Sequence, residues 1–176
     1  MTVHARHLMF DCRGTAAAEM ALLAPLLITL MFGSMELGNY FLNEHAVVKA
    51  VRDGARYAAR IPMSNYTCAS GSATGSITGL ETEIKNLTRT GSISGAATPR
   101  LGYWTAATAA TTITVSVRCV AKASYGSTFS PLIGDIPVVK VKADVPYANG
   151  SLFKYIGFTS VNLYLRSESE ATVMGI

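Results

Sequence analysis

The pattern of apolar and polar residues changes twice along the chain. From Ala16 to Leu37 apolar residues follow one another with few interruptions, over about the 20 residues that a bilayer-spanning helix needs. From there to Arg60 apolar residues recur every three or four positions, which predicts that the same helix continues as an amphipathic one. Beyond Arg60 several segments alternate with a period of two, which predicts strands. The pattern therefore predicts one long helix over residues 15–60, membrane-spanning in its first half, and a domain over residues 61–176.

Within the amphipathic half, charged and apolar residues lie on opposite faces. The charged row is Lys49, Arg52, Asp53, Arg56 and Arg60, and the apolar row is Val47, Val51, Ala55 and Ala58. We expect the charged row to be solvated, with Asp53 at ion-pair spacing from Lys49 and Arg56, and the apolar row to hold the C-terminal domain. Gly54 costs ~1 kcal/mol in mid-helix relative to alanine, so it indicates a close backbone contact. In the first half, Pro25 predicts a kink because it has no amide hydrogen to donate.

The first part of the domain gives weaker signals. Residues 61–76 are rich in Ser, Thr and Gly and predict a loop. A second short helix, ending near Gly91, is predicted by apolar residues at spacings of three and four: Ile77, Leu80, Ile84 and Leu87. Residues 90–110 have little periodicity, and their bulky aromatic residues, Tyr103 and Trp104, are expected to fill the core.

Three later segments each have one apolar and one polar face. Their apolar positions are Ile113, Val115, Val117 and Cys119 in the first, Val139, Val141, Ala143 and Val145 in the second, and Val161, Leu163 and Leu165 in the third. The polar positions of the third segment continue to Glu170. A sheet with one polar face is covered on one side only. With the long helix laid across a three- or four-stranded antiparallel sheet, the predicted fold class is α+β. Before the third segment, residues 152–156 are expected to form a helical turn.

The apolar run of residues 15–37 allows three interpretations: a cleaved secretory signal, a buried helix or a membrane span. The apolar region of a secretory signal is shorter, about 7–15 residues, and ends at a small-residue cleavage site. A buried helix would need more surrounding protein than the rest of the chain offers. A membrane span is therefore the prediction. Lysines and arginines flank the run on both sides, so their count does not decide the orientation.

The cysteines bear on that orientation. Cys68 and Cys119 both follow the span, whereas Cys12 precedes it. Two thiols on one side favour a disulfide and an oxidising compartment, the alternative being two unrelated buried thiols. We therefore predict a Cys68–Cys119 disulfide and a domain on the periplasmic or extracellular side.

The start of the helix combines a basic residue, a glycine and an isolated carboxylate. It has the sequence Arg13-Gly14-Thr15-Ala16-Ala17-Ala18-Glu19. An acidic residue costs roughly 2.5–3.5 kcal/mol at the centre of a membrane helix. We therefore expect a carboxylate at the edge of such a helix to pair with a positively charged group. If the chain is cut after Gly14, the new amino group of Thr15 lies one helical turn from Glu19. In an assembly, the amine of one subunit can then neutralise the glutamate of its neighbour.

Residues 13–60 resemble the N-terminal module of TadE-like proteins, the pilin-like components of tight-adherence (Flp, type IV-related) pilus systems. Three further motifs carry the resemblance after the Gly-to-Glu motif: Ala24-Pro25-Leu26-Leu27, Phe32-Gly33 with Glu36-Leu37-Gly38, and Ala50-Val51-Arg52-Asp53-Gly54-Ala55-Arg56-Tyr57-Ala58. One residue departs from the pattern of the major Flp pilins, which usually carry Tyr where Met20 stands here. That departure favours a minor component over the main subunit of the filament.

The resemblance implies a pilin-like fold and a minor pilin or pseudopilin that takes part in pilus assembly. It implies that a prepilin peptidase removes residues 1–14, Cys12 included, by cutting between Gly14 and Thr15, and that Glu19 is the assembly carboxylate. The implied partners are the major pilin, other minor pilins and the inner-membrane pilus assembly platform. Membrane lipid would surround a single-pass anchor in the inner (cytoplasmic) membrane. The alternative, from another class of protein, is an uncleaved membrane-anchored extracytoplasmic binding domain.

Other classes of function find little support in the sequence. The net charge of +4 comes from scattered lysines and arginines, whereas nucleic-acid binding calls for a basic stripe with aromatic residues, so no nucleic-acid partner is predicted. The chain contains no His-Glu-x-x-His, no Gly-x-Ser-x-Gly and no phosphate-binding glycine loop. We therefore predict no enzyme activity, no catalytic residue, no metal and no cofactor.

Overall fold

A computed structural model describes residues 12–69, 71, 73–125, 134–147 and 163–175. The predicted leader before Cys12, the expected turn at residues 152–156 and the start of the third predicted strand at Val161 lie outside the described residues. The chain divides into two compact units, one ending at Asn39 and the other spanning Tyr40–Ile176.

The first described element is an α-helix, α1, that runs for 49 residues from Cys12 to Arg60. It continues without interruption through Pro25, and the hydroxyl of Thr29 donates a hydrogen bond to the Pro25 carbonyl at 2.8 Å. A long helix over residues 15–60 is thus confirmed, although it begins at Cys12, before the predicted first residue.

The described part of the second unit contains two short α-helices and a five-stranded sheet. The helices are α2 (Glu81–Thr90) and α3 (Ala106–Thr112), and the strands are β1 (Tyr66–Thr67), β2 (Thr74–Ile77), β3 (Ile113–Val120), β4 (Ile136–Pro146) and β5 (Tyr164–Thr172). The strands follow one another in chain order across the sheet, and every neighbouring pair is antiparallel. The α+β class is confirmed.

The predicted count of three or four strands was too low, because β1 and all of β2 except Ile77 lie in the stretch that was expected to be a loop. These strands have two and four residues, too few for an alternating apolar pattern to stand out. Their pairing with partners far along the chain defines them: Tyr66 pairs with Ile77, and Gly75 with Val117.

The helix α2 begins four residues later than Ile77, its first predicted position, because Ile77 ends β2. Its predicted end is confirmed. Gly91 has the left-handed backbone angle φ of 80°, and its amide donates to the Leu87 carbonyl at 2.7 Å. A glycine adopts this conformation at little cost, which is why it ends helices so often.

The core lies on one face of the sheet. The whole apolar row of the second half of α1, Val47, Val51, Ala55 and Ala58, is buried in one cluster with the inward-facing residues of β4, Val139, Val141, Ala143 and Val145. Trp104 is fully buried as expected, and its indole N–H donates to the Thr112 hydroxyl at 3.0 Å. The other face carries ion pairs such as Lys140 with Glu168.

Candidate functional site

The start of α1 presents the residues of the Gly-to-Glu motif to the surroundings. Gly14, Thr15 and Glu19 are all exposed, and Thr15 and Glu19 lie four residues apart, on one face of the helix. No hydrogen bond or ion pair to another described residue involves Glu19.

The residues after Glu19 leave the apolar surface of the helix uncovered. Ten large apolar side chains are between 50% and 80% exposed: Met20, Leu22, Leu23, Leu26, Leu27, Ile28, Leu30, Met31, Met35 and Leu37. Gly14–Arg60 is long and apolar enough to cross a membrane, and no part of its most apolar window is buried. Leaving a large apolar side chain in water forgoes about 1.5–3 kcal/mol of burial free energy. One such helix is compatible with a single-pass membrane anchor.

The glycines of α1 differ in what surrounds them. A β-carbon on Gly14, Gly33 or Gly38 would meet no other atom within 4 Å, whereas a β-carbon on Gly54 would collide with the Thr88 hydroxyl. Gly54 thus has a packing reason within the chain, as its position in mid-helix predicted. The other three have no such reason in the described part of the chain, although glycine inside a helix costs about 1 kcal/mol relative to alanine.

The charged row of α1 is mostly unpaired. His45, Lys49, Arg52 and Arg56 line a shallow depression on the helix surface, and none of them forms an ion pair with a described residue. Asp53 is different, because its Oδ2 accepts from Nη2 of Arg100 at 2.7 Å. The expected pairing of Asp53 with Lys49 or Arg56 was wrong, because the carboxylate pairs instead with Arg100, a loop residue far along the chain.

The predicted disulfide is present. The sulfurs of Cys68 and Cys119 are 2.01 Å apart, and the bridge joins the residue after β1 to the buried face of β3. It packs on Gly75 of β2, where a β-carbon would lie 2.7 Å from the Cys119 sulfur and 3.1 Å from the Cys68 sulfur. The need for glycine beside the bridge could not be inferred from the sequence.

Shifted pKa values occur at tyrosines that hold the domain together. The hydrogen bond from the Tyr57 hydroxyl to Glu83, at 2.7 Å, raises the pKa of Tyr57. Burial raises the pKa of Tyr66 to about 12, and its hydroxyl donates to the Ala58 carbonyl at 2.6 Å. Both bonds tie α1 to neighbouring elements, α2 and β1. Among the described residues, no group of histidines, cysteines and carboxylates could hold a metal ion.

Residues 14–56 match the family model of TadE-like proteins. The match begins at the glycine of the Gly-to-Glu motif and ends within the amphipathic half of α1, so it covers about a quarter of the chain. No curated protein and no solved structure matches the chain. The similarity therefore covers the long helix and does not extend to the sheet domain.

Proposed function

We propose that this chain is a minor pilin or pseudopilin that takes part in assembling a tight-adherence (Flp, type IV-related) pilus. The observation that carries the proposal is the exposed apolar half of α1, which lies inside the segment that matches TadE-like proteins. A helix of this length and exposure needs lipid, other helices or both around it. A pilus subunit meets both, first in the membrane and then among neighbouring subunits.

Maturation is part of the proposal. A prepilin peptidase cuts between Gly14 and Thr15 and removes residues 1–14. The open space around Gly14 supports this step, because no described residue gives a packing reason for a glycine there. The next step, in which the new Thr15 amine of a neighbouring subunit pairs with Glu19, is supported by the exposure of Glu19 and by its having no partner among the described residues. Such a pair is much stronger in a low-dielectric setting than in water.

The proposed location is the inner (cytoplasmic) membrane, with a single-pass anchor and the sheet domain on the periplasmic or extracellular side. The Cys68–Cys119 disulfide supports this orientation, because disulfides persist in oxidising compartments. The proposed partners are the major pilin, other minor pilins, the prepilin peptidase, the assembly platform and membrane lipid. The proposed role is structural, with no catalysis by this chain.

The N-terminal sequence of the mature protein tests the proposal. In cells with a working prepilin peptidase, the purified protein should begin at Thr15, and Gly14→Val should retain the leader. Since a side chain at Gly14 has open space, this variant should fold normally, and Gly33→Val provides a matched control that should still be cut. A mature protein that keeps its leader in such cells would contradict the proposal and favour an uncleaved anchored binding domain.

A further inference from the structure

Five basic side chains lie on one face of α1, in the part of the helix that belongs to the second unit. All five are exposed, and they recur at spacings of three and four residues, so they follow one line along the helix. At 1.5 Å per residue, this line is about 22 Å long. We call these side chains the basic face: His45, Lys49, Arg52, Arg56 and Arg60.

The basic face lies opposite the side of α1 that packs in the core. Val47 and Val51 are fully buried in the core cluster, as is Ala58. Arg56 follows Val47 by nine residues, which is two and a half helical turns, so the two side chains point in opposite directions. The basic face therefore takes no part in holding the domain together, and substitutions there should leave the fold intact.

No described carboxylate compensates the charge of the basic face. Asp53 has the right spacing from Lys49 and Arg56, but its Oδ2 accepts from Nη2 of Arg100 at 2.7 Å. No member of the basic face forms an ion pair with a described residue. Like charges three or four residues apart destabilise a helix. The basic face thus carries a repulsion that a negatively charged partner would relieve.

The polar face of the sheet shows the opposite arrangement. Its basic and acidic side chains alternate between neighbouring strands and pair with one another: Lys140 with Glu168, Arg118 with Glu170, and Arg166 with Asp144. Mixed charges of this kind are typical of a surface that is simply solvated. The basic face of α1 differs from it, because its charges have one sign and follow one line.

We propose that the basic face docks a segment of another protein that presents a row of carboxylates. An acidic helix with carboxylates four residues apart repeats about every 6 Å, close to the spacing of the basic face. The guanidinium groups of Arg52 and Arg56 can each hold a carboxylate through two parallel hydrogen bonds. Neither the membrane span nor the cleavage after Gly14 is needed for this docking, so it goes beyond the proposed function.

Two other occupants fit the basic face less well. A second copy of this chain would have to offer carboxylates, and those on its sheet already pair with its own basic side chains. A single-stranded nucleic acid would call for aromatic rings on which its bases stack, and the basic face includes no tyrosine, phenylalanine or tryptophan. Charge complementarity along a line therefore favours an acidic protein segment.

Fluorescence anisotropy tests the docking on the full chain in a neutral detergent. The probe is a labelled helical peptide with glutamate at every fourth position, and the matched probe has glutamine in place of each glutamate. A DNA oligonucleotide of equal charge is the third probe. One variant, Lys49→Gln/Arg52→Gln/Arg56→Gln, removes three charges from the basic face. The control, Arg118→Gln/Lys140→Gln/Arg166→Gln, removes three charges from the polar face of the sheet, and circular dichroism verifies that both variants are folded.

The glutamate peptide should bind the original protein, and the glutamine peptide should bind about tenfold more weakly or not at all. The basic-face variant should bind the glutamate peptide about tenfold more weakly and the control variant less than about twofold more weakly, although their net charges are equal. Equal weakening in the two variants would overturn the proposal, because net charge alone would then explain binding. A glutamate peptide that does not bind the original protein would overturn it too. Tighter binding of the oligonucleotide than of the peptide, lost in the basic-face variant, would assign this face to nucleic acid instead.

Discussion

The hydroxyl of Thr88 occupies the space that a β-carbon on Gly54 would need, so that α1 and α2 meet at a glycine. Thr88 is fully buried, and its hydroxyl is held in place by a hydrogen bond of 2.7 Å to the Ile84 carbonyl. Gly54 lowers the helix propensity of α1, but it allows α1 and α2 to pack closely.

Gly54→Ala should destabilise the domain although alanine is the better helix former. The propensity gain of about 1 kcal/mol is outweighed by overpacking, so we expect a net loss of about 1–2 kcal/mol in the free energy of unfolding. Denaturant unfolding followed by circular dichroism measures it. Gly38→Ala, at a helical glycine with open space, is the control and should not destabilise. Stabilisation by Gly54→Ala would contradict the observed packing, and Thr88→Ala should relieve the clash in the double variant.

Reducing the Cys68–Cys119 disulfide should destabilise the domain. Closing a loop whose ends are 51 positions apart is worth on the order of 4 kcal/mol in the chain-entropy model, and often less in practice. The Cys68→Ser/Cys119→Ser protein should therefore unfold at a lower denaturant concentration, and non-reducing peptide mapping of the original protein should recover the linked peptides. Free thiols at both positions in protein from the oxidising side would contradict the bridge and weaken the proposed orientation.

The glycine beside the bridge offers a second measurement on the same region. Gly75→Ala should cost about 1–3 kcal/mol of unfolding free energy, because the new methyl group meets the Cys119 sulfur and the Thr67 carbonyl. Gly102→Ala, where the added methyl group meets no atom, is the matched control and should have little effect. Equal stability of the two variants would show that the bridge does not pack on Gly75.

The ion pair of Asp53 and Arg100 should matter more than the exposed pairs on the sheet. Its side chains are 32% and 20% exposed, whereas those of Glu170 and Arg118 are 43% and 54% exposed. We expect Asp53→Asn to cost about 1–2 kcal/mol of unfolding free energy and Glu170→Gln less than about 1 kcal/mol. Thermal unfolding at low and high salt would compare them, and an equal cost of the two substitutions would contradict this ranking.

Stability should fall in strong alkali because of Tyr66. Burial raises the pKa of this phenol from its usual 10 to about 12, so the unfolded chain loses the proton at a lower pH than the folded one. The contribution of Tyr66 to the free energy of unfolding is therefore complete below pH 10 and is lost as the pH rises toward 12. Tyr66→Phe should be less stable at pH 8, since the bond to the Ala58 carbonyl is gone, but should show a shallower decline above pH 10. An unchanged decline would contradict this assignment.

Glu19 should act in assembly rather than in folding. Because no described residue pairs with it, Glu19→Ala should insert into the membrane at least as well and should leave the unfolding of the sheet domain unchanged. Crosslinking to the major pilin and the number of pili per cell should both fall. Glu44→Ala, which removes a carboxylate from the same helix outside the apolar run, is the control. Normal crosslinks and normal pili in the Glu19→Ala strain would leave only a minor interaction with the helix dipole for this residue.

The sequence by itself determined the features that depend on local pattern. The apolar run and the spacing of Val47 and Val51 specify a long helix and its buried face, since an α-helix repeats every 3.6 residues whatever surrounds it. The glycine at residue 91 ended α2 for an equally local reason. The pairing of Cys68 with Cys119 could be predicted because both follow the apolar run, whereas the third cysteine, Cys12, precedes it.

Only the tertiary structure decided the contacts between residues that are distant in the chain. The short strand β1 pairs with β2, and β2 pairs with β3 as well, so these strands depend on hydrogen bonds to distant parts of the chain. They have too few residues to show an alternating pattern in the sequence. Asp53 pairs with Arg100, and Tyr40 reaches Tyr164, because the fold brings the loop after α2 and the start of β5 beside α1. Spacing along one helix reports neighbours within that helix alone, so such partners become visible only when the chain has folded.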